Sequence, residues 1–352
     1  MGITISRIKS VTRTSIAWAV HACSLHQSRL RGKVVILMYH RVLTREEVAC
    51  QAVQPGMYVL DTVFAQQMAF LQQTFTVLSF RQLLDLWKAG EWNEQAGYCV
   101  VTFDDGWLDN YRYAYPVLRR LGIPATIFLP TDYVGTDQWF WPDQLAYLLR
   151  TAGSNGHGAQ HGEQVKRVLL HVLGAAGGSL GKGLAHDERV ADQLIERCKE
   201  LPKDQIQRLV SALAEEMGVS LPDGRVVVNW DEVREMSTGG ISFGSHSCSH
   251  RIMTTITPAE VSEELATSQQ TLQQAGIEYV PVFCYPNGNS DADIQSQAKA
   301  HGYEAAVSVQ TGVEGPCPPN RFALRRIGIH NDMTHSIPLF SLRLCGLLSP
   351  IN

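Results

Sequence analysis

The sequence lacks several features that would assign a function directly. Its eight cysteines are scattered without a CxxC pair, which argues against a zinc ribbon or a disulfide framework and favours buried thiols. No block of Lys and Arg occurs and the formal net charge is only -4, so no nucleic-acid partner is expected. No GxGxxG motif follows the first apolar strand, which argues against an open dinucleotide-binding sheet.

The N-terminal apolar stretch, residues 16–25, is too short to cross a bilayer, which takes about 20 residues. Basic residues lie on both sides of it, and no convincing cleavage site follows. We therefore predict a helical segment over residues 1–32 that makes peripheral contact with a membrane, with a signal anchor and a cleaved signal as alternatives. The scattered cysteines favour a location in the cytoplasm or peripheral to the inner membrane, and a secreted or periplasmic location stays open.

Apolar runs of strand length alternate with segments of helical periodicity along most of the chain. Eight strands are predicted, at residues 33–40, 77–80, 99–103, 124–130, 241–246, 280–286, 305–309 and 324–329. Alternation of strands and helices indicates parallel pairing with right-handed crossovers. We predict an α/β fold, a distorted (β/α) barrel over residues 33–332, followed by a C-terminal tail over residues 333–352.

The alternation stops at about Gln138. From there to about residue 225 the chain shows helical spacing and glycine-rich stretches but no strand pattern. Loops accept insertions at a modest entropic cost. We therefore predict an α-helical insertion over about residues 139–225, carried on one loop of the barrel.

One predicted strand ends in two adjacent carboxylates, Asp104 and Asp105, followed by Gly106. A buried parallel strand carries almost only apolar side chains, so both aspartates are expected at its C-terminal tip, facing a cleft. Because successive strand residues point to opposite sides, one carboxylate is expected to bind a metal while the other reaches a different atom of the site.

His246 and His250 follow another predicted strand and are separated by four positions. On a helical turn this spacing places both imidazoles on one face, as a pair of metal ligands requires. One carboxylate and two histidines leave coordination positions open, which is typical of a catalytic rather than a structural metal site. The alternative is two unrelated histidines in a turn.

The two motifs in this order, Thr102-Phe-Asp-Asp-Gly106 and His246-Ser-Cys-Ser-His250, resemble those of the polysaccharide deacetylase family, also called NodB homology or carbohydrate esterase family 4. The resemblance covers roughly residues 33–135 and 230–332. It implies a metal-dependent hydrolase that removes N-acetyl groups from a sugar polymer or oligosaccharide. It also implies that Asp105, His246 and His250 bind a divalent ion, with zinc first and cobalt, manganese or nickel also fitting. Asp104 would then be the general base toward the metal-bound water.

The chain departs from the family pattern in its third motif. In Phe283-Cys-Tyr-Pro-Asn-Gly288, Asn287 takes the place of a tyrosine whose backbone N–H would stabilise the oxyanion. Cys284 takes the place of the arginine that would orient the base. Arg326, in a late Arg-Ile-Gly sequence that resembles one branch of the family, is a candidate replacement that could approach Asp104; a surface ion pair is the alternative.

The departing amine needs a general acid, and the family's late Leu-x-x-His motif is missing. Leu37-Met-Tyr-His40 occurs early instead, and the first strand of a closed barrel lies beside the last. We therefore predict His40 as the acid, with His330 as the rival and a structural role for His40 as a further alternative.

Two other functions stay open at this point. One is a sugar-binding barrel without turnover, and the other is an amidohydrolase or O-deacetylase that acts on another small substrate. The sequence identifies neither the glycan nor the oligomeric state.

Overall fold

The structure is a computed structural model and describes residues 13–51, 53–54, 56–154, 158–180 and 189–347. Internal contacts divide the chain into two compact units. The first comprises Met1–Thr44, Pro55–Thr136 and Val227–Asn352, and the second comprises Arg45–Gln54 and Asp137–Val226. The predicted insertion lies within the second unit.

The first unit is built on parallel strands. The strands of the protein are β1 (Val34–Tyr39), β2 (Arg41–Leu43), β3 (Tyr58–Leu60), β4 (Thr76–Val77), β5 (Tyr98–Phe103), β6 (Ala125–Leu129), β7 (Ile241–Ser245), β8 (Tyr279–Cys284), β9 (Ala305–Thr311) and β10 (Leu324–Gly328). Seven of them close a ring in the order β1-β10-β9-β8-β7-β6-β5, because β1 also pairs with β5. β4 adds to β5, and β2 pairs with β3. The predicted (β/α) barrel is confirmed.

The strands form because their residues are apolar and can be buried on both faces. Every residue of β5, β6 and β7 is buried. Parallel pairing places the C-terminal ends of all seven ring strands at one mouth of the barrel. His40, Asp104, His246 and His330 each lie one or two residues beyond the end of their strand, so the ring places all four at this mouth.

The helices, in chain order, are α1 (Leu25–Leu30), α2 (Arg45–Cys50), α3 (Asp61–Thr74), α4 (Phe80–Ala89), α5 (Tyr115–Leu121), α6 (Trp141–Ser154), α7 (Gly158–Leu180), α8 (Arg189–Cys198), α9 (Lys203–Met217), α10 (Trp230–Thr238), α11 (Pro258–Gln274), α12 (Ala292–Ala300), α13 (Asn331–Thr334) and α14 (Ile337–Leu344). Residues 13–22 are also helical. A π-helical turn, Asn110–Ala114, leads directly into α5. None of the described helices is long and apolar enough to cross a lipid bilayer.

The two ends of the described chain pack against each other. Ala17 and Val20, from the N-terminal helical stretch, form an apolar cluster with Leu339, Leu342 and Cys345 at the C-terminal end. The segment predicted as a C-terminal tail is therefore helical as far as Leu344, with α14 buried along most of its length. Residues 1–12 of the predicted N-terminal segment and 348–352 of the predicted tail lie outside the described residues.

The second unit is helical, as the helical spacing of its sequence predicts. Helices α6, α7, α8 and α9 share an apolar core that includes Leu145, Leu169, Leu194 and Leu209. Their buried residues recur at helical spacing, so each helix presents one apolar face to this core. The unit therefore has a core of its own.

Candidate active site

A left-handed turn at the end of β5 directs the two aspartates. The backbone N–H of Asp104 still donates to the carbonyl of Tyr39 on β1, at 3.0 Å. Asp105 has a φ of 74° and Gly106 a φ of 64°, so the strand has already ended. A Cβ at Gly106 would lie 2.4 Å from Leu129 Cδ2, so at this positive φ glycine avoids both backbone strain and displacement of a buried side chain. The two carboxylates were predicted to point in different directions because strand residues alternate. That reason was wrong, because the left-handed turn and not strand alternation gives them different directions.

Asp105, His246 and His250 converge at the mouth of the barrel. Oδ1 of Asp105 lies 3.3 Å from Nε2 of His246 and 3.1 Å from Nε2 of His250. Ligands about 2.1 Å from a tetrahedral ion lie about 3.4 Å apart, so both distances from Asp105 suit ligands of a shared divalent cation, and all three atoms lie within 4.8 Å of one another. The donor set of one carboxylate and two imidazoles suits zinc and similar ions.

The two histidines meet through an irregular loop. Residues 246–250 contain no helical turn, and Ser247 and His250 have φ values of 65° and 56°. Ser247 Oγ accepts from the backbone N–H of His250 at 3.0 Å, and Ser245 Oγ accepts from that of Ser247 at 3.2 Å. The expectation of a helical face was therefore wrong, although the imidazoles do come together, with ring centroids 4.8 Å apart.

Glu264 on α11 holds this loop, and the sequence reasoning missed it. Its carboxylate accepts from the backbone N–H of Cys248 at 2.7 Å and of Ser249 at 3.0 Å, and from the Ser249 hydroxyl. The side chain is buried on the same face of α11 as Leu265 and Ser268. A charged residue on the buried face of an amphipathic helix is the one sequence signal that points to it.

Further contacts orient the ligand atoms themselves. His246 Nδ1 lies 2.7 Å from the carbonyl of Cys284, which can only accept, so Nδ1 carries the proton and Nε2 faces Asp105. Trp107 Nε1 donates to Oδ2 of Asp105 at 2.9 Å and leaves Oδ1 toward the histidines. Both contacts fix the direction of a ligand atom before any cation arrives.

Asp104 is paired with Arg326, whose guanidinium is fully buried. Nη1 donates to Oδ1 at 2.6 Å and Nη2 to Oδ2 at 2.7 Å. Arg326 also donates from Nε to the carbonyl of Ser308 at 2.9 Å and from Nη1 to Thr102 Oγ1 at 3.2 Å. The structure therefore brings together the two residues that the sequence analysis linked, and it excludes the alternative of a surface ion pair.

A second group of possible ligands, Asp104, His246 and Cys284, lies close by. Arg326 already fills the space between two of its members, since it also lies 3.3 Å from Cys284 Sγ. A fixed positive charge at that point opposes a cation. The group of Asp105, His246 and His250 is therefore the better metal site.

Charge and burial act against each other on the pKa values of the site. Burial raises the pKa of Asp104, but the charge and hydrogen bonds of Arg326 outweigh it and hold that pKa below its usual range. Burial also raises the pKa of Asp105, and the two histidines bring it well below. Both carboxylates are therefore ionised at neutral pH.

The two histidines differ in their pKa values. Burial lowers the pKa of His246, but Cys284 and Asp105 raise it well above its usual value. For His250, burial outweighs the attraction of Asp105, and its pKa is lowered. The second proton that His246 gains binds at Nε2, which faces Asp105. This proton therefore occupies the position that a cation would take.

His40 lies beside Asp104, with Nε2 3.9 Å from Oδ2, and its side chain is 21% exposed. Its carbonyl accepts from Asn110 Nδ2 at 2.8 Å, which ties its backbone to the helical turn after β5. The next residue, Arg41, donates to Asp109 at 2.8 Å. The position of His40 is thus fixed by the segment that follows the aspartates.

His330 and Asn287 make other contacts. The imidazole of His330 pairs with Asp332 at the start of α13. Asn287 is exposed after β8, has a φ of 57°, and donates from Nδ2 to Asn289 Oδ1 at 2.6 Å. Among the described residues, no hydrogen bond joins either residue to Asp104 or Asp105. Asn287 shares its left-handed φ with Asp105, Ser247 and His250, and such strain clusters at functional sites.

The sequence matches the family model of polysaccharide deacetylase over residues 93–168 and 198–306, slightly more than half of the chain. These ranges include both aspartates and both loop histidines, but neither His40 nor Arg326. Similarity extends to YxkH of Bacillus subtilis strain 168, provisionally named a polysaccharide deacetylase, at 20% identity over 239 residues. The match covers 68% of this chain and 54% of YxkH, so the chain spans about half the length of that relative.

Solved structures show a similar fold. The deacetylase PplD of Streptococcus pyogenes, in complex with acetate, has a TM-score of 0.55 and 18% identity, and the match covers 88% of this chain and 97% of PplD. BC0361, a polysaccharide deacetylase from Bacillus cereus, has a TM-score of 0.54 and 19% identity over 89% of this chain and 69% of its own. At these identities the similarity establishes the barrel fold.

Proposed function

Because the chain belongs to the polysaccharide deacetylase family, we propose that it is a metal-dependent hydrolase that removes N-acetyl groups from a glycan. The observation that carries this proposal is the convergence of Asp105, His246 and His250 beside an aspartate that is held by a buried arginine. The group of Asp105, His246 and His250 is suited to hold a cation, and Asp104 is suited to act as a proton acceptor.

Asp105, His246 and His250 would hold the cation, with zinc first among the candidates because imidazole and carboxylate ligands suit it. When bound, such an ion supplies a Lewis acid and lowers the pKa of coordinated water to about 7. The contacts of Trp107 with Asp105 and of Cys284 with His246 keep the ligand atoms oriented. Glu264 keeps the histidine loop closed.

Asp104 is the general base in this proposal. Its lowered pKa keeps it deprotonated at neutral pH, and the two hydrogen bonds from Arg326 fix the plane of its carboxylate. A carboxylate with a fixed direction accepts a proton from water at a defined position. Arg326 acts through Asp104 and is a positioning residue.

His40 is the proton donor to the departing amine. It stands 3.9 Å from Asp104 and is partly exposed, whereas the rival His330 pairs with Asp332. The backbone N–H of Asn287, in the turn after β8, is the candidate donor to the oxyanion. The roles of His40 and Asn287 are both proposed from the positions of these residues at the mouth of the barrel.

The substrate class follows from the family: an N-acetylated polymer or oligosaccharide. We also propose that the protein is cytoplasmic or peripheral to the inner membrane, with membrane contact through its N-terminal helix. Ile16 and Trp18 support this, since they are 50% and 59% exposed on a helix whose Ala17 and Val20 face the protein. Loss of co-sedimentation with anionic vesicles in Ile16→Ser/Trp18→Ser is the expected result, and unchanged co-sedimentation contradicts it.

The proposed function is tested by acetate release from a panel of N-acetylated and O-acetylated glycans, before and after chelation. We expect release from N-acetylated glycans that stops on chelation and returns with zinc or cobalt. Release that survives complete removal of metal contradicts the metal dependence. Binding of glycans without release identifies a sugar-binding barrel, and release from O-acetylated glycans alone identifies an O-deacetylase.

A further inference from the structure

A groove of about 590 Å³ lies on the outer side of the barrel, between the helical segment that follows β5 and helix α10. Two rows of side chains at helical spacing line it, together with one residue of α10: Tyr111, Arg112, Tyr115, Pro116, Arg119, Arg120 and Glu235. The groove is apart from the candidate active site, and none of these residues serves the proposed reaction.

The arginines of the groove differ from most others in the first unit. Six arginines of that unit form ion pairs with carboxylates: Arg41, Arg81, Arg234, Arg251, Arg325 and Arg326. Arg112, Arg119 and Arg120 are exposed, and among the described residues none of them has an acidic partner. Three guanidinium groups and the single carboxylate of Glu235 give the groove lining a net positive charge on a chain of net charge -4.

The tyrosines of the groove are held in place. Tyr111 donates its hydroxyl to Oε2 of Glu235 at 2.7 Å, and Tyr115 donates to the backbone carbonyl of Glu235 at 3.2 Å. Their rings are nearly parallel, with an angle of 15° and centroids 6.0 Å apart. A Cβ at Gly239 would lie 2.2 Å from the Tyr115 hydroxyl, so glycine permits this close packing. The one carboxylate of the groove is thus engaged with a tyrosine.

We propose that this groove binds an acidic polysaccharide, one whose sugars carry carboxylate groups. Guanidinium groups match carboxylates in charge and in geometry. The ring of Tyr111, which is half-buried and held by Glu235, offers an apolar face to the C–H surface of a sugar ring at little entropic cost, whereas Tyr115 is buried beneath it. Deacetylation creates amines on the glycan, and the arginines repel these positive charges, so the groove favours the acidic segments of a polymer.

Length and continuity favour a polymer over a small anion. From Tyr111 to Arg120 the helical segment extends about 14 Å, given a rise of 1.5 Å per residue. The segment begins five residues after Asp105, at the mouth of the barrel. A lipid surface is disfavoured because the exposed large hydrophobic residues of the described chain lie elsewhere: Ile16, Trp18, Leu25, Leu170, Val309 and Leu347. The ligand's identity as a polysaccharide rests on the proposed function, whereas binding itself needs no turnover.

The test is direct binding of a fluorescent polygalacturonate oligomer to the full chain. We expect Arg112→Gln, Arg119→Gln and Arg120→Gln together to weaken binding about tenfold, since each exposed charge contact contributes about two- to threefold. Tyr111→Ala is expected to weaken binding without a change in charge. Added salt is expected to weaken the native protein's binding.

The matched control removes the same charge elsewhere. Arg29, Arg31 and Lys33 are exposed, and their joint substitution by Gln is expected to leave binding within about twofold. Circular dichroism and acetate release of each variant report on folding and on the active site, so a failure here is separate from a failure of the proposed function. Equal loss in both triple variants, equal binding of neutral dextran, or capture by anionic vesicles or single-stranded DNA in place of polygalacturonate overturns the proposal.

Discussion

Arg326 and Asp104 form a bidentate ion pair inside the barrel, with Nη1–Oδ1 and Nη2–Oδ2 distances of 2.6 and 2.7 Å. The pair joins the last strand of the ring to the end of β5, two strands that do not pair with each other. Removal of one member of such a buried pair costs about 3–5 kcal/mol, because the other charge is left without a partner. The pair therefore determines both the direction and the ionisation of Asp104.

The first prediction concerns pH dependence in Arg326→Met. Without the guanidinium, burial is opposed only by the charges of His40 and His246, so the pKa of Asp104 is expected to rise. A base with a raised pKa is protonated at higher pH, so the acidic limb of the kcat/KM profile is expected to move to higher pH. Native stability from the pair is present above the unfolded pKa of about 3.9 and is lost as pH falls through the lower native pKa.

Arg325→Met is the matched control for this prediction. Arg325 pairs with Glu314 at 2.9 Å, but its side chain is 41% exposed and makes no contact with Asp104. The Arg325→Met variant is therefore expected to keep the acidic limb of the kcat/KM profile at its native pH. An Arg326→Met profile that coincides with the native one rules out the role of Arg326 in setting the ionisation of Asp104.

The second prediction separates the two aspartates. Asp105→Asn is expected to lower zinc content sharply, since the amide removes the negative charge of Asp105, which lies beside Nε2 of both His246 and His250. Asp104→Asn is expected to retain zinc and to lower kcat by about 10²- to 10⁴-fold, the usual contribution of a general base. Zinc content by mass spectrometry and initial rates of acetate release measure both effects. Full turnover in Asp104→Asn excludes it as the base.

The barrel was predictable because its signals are local. Most ring strands are rich in buried apolar residues, and such runs identify a strand without knowledge of its neighbours. The tips were less predictable. The left-handed turns at Asp105 and His250 depend on packing against other parts of the chain, such as Leu129 against Gly106 and Glu264 beside the histidine loop. Neither strand alternation nor helical spacing therefore describes how these side chains converge.

Residues that support the site from a distance were harder to find. Arg326 could be proposed because a family resemblance supplied its motif, whereas Glu264 lies in an ordinary amphipathic helix. Its contact with Cys248 and Ser249 arises only when α11 packs beside the loop after β7. A single sequence contains no record of such packing.

The third prediction is therefore Glu264→Gln. The amide keeps one acceptor oxygen but loses the charge, and its N–H₂ group faces the backbone donors of Cys248 and Ser249. The histidine loop is expected to loosen, with zinc affinity lowered about 10- to 100-fold, as for other residues that orient metal ligands. Competition with a chelator of known affinity measures this. Glu263→Gln, at the adjacent exposed position, is the control. Equal zinc affinities in the two variants contradict the role of Glu264 in holding the histidine loop.

The last prediction identifies the proton donor. His40→Gln keeps a polar side chain near Asp104 but removes the titratable group, so kcat is expected to fall about 10²-fold or more with zinc content unchanged. Substrates with activated amine leaving groups depend less on an acid and should lose less rate.

His330→Gln is the matched test of the rival. His330 pairs with Asp332 in the turn after β10, and its loss is expected to leave kcat unchanged. The reverse result, with kcat lowered in His330→Gln and kept in His40→Gln, assigns the acid to His330. Because His40 follows β1, whose partners in the ring are β10 and β5, the expected result places the acid, Arg326 and both aspartates on three adjacent strands. That adjacency exists only in a closed barrel, so the position of the donor depends on the closure of the sheet.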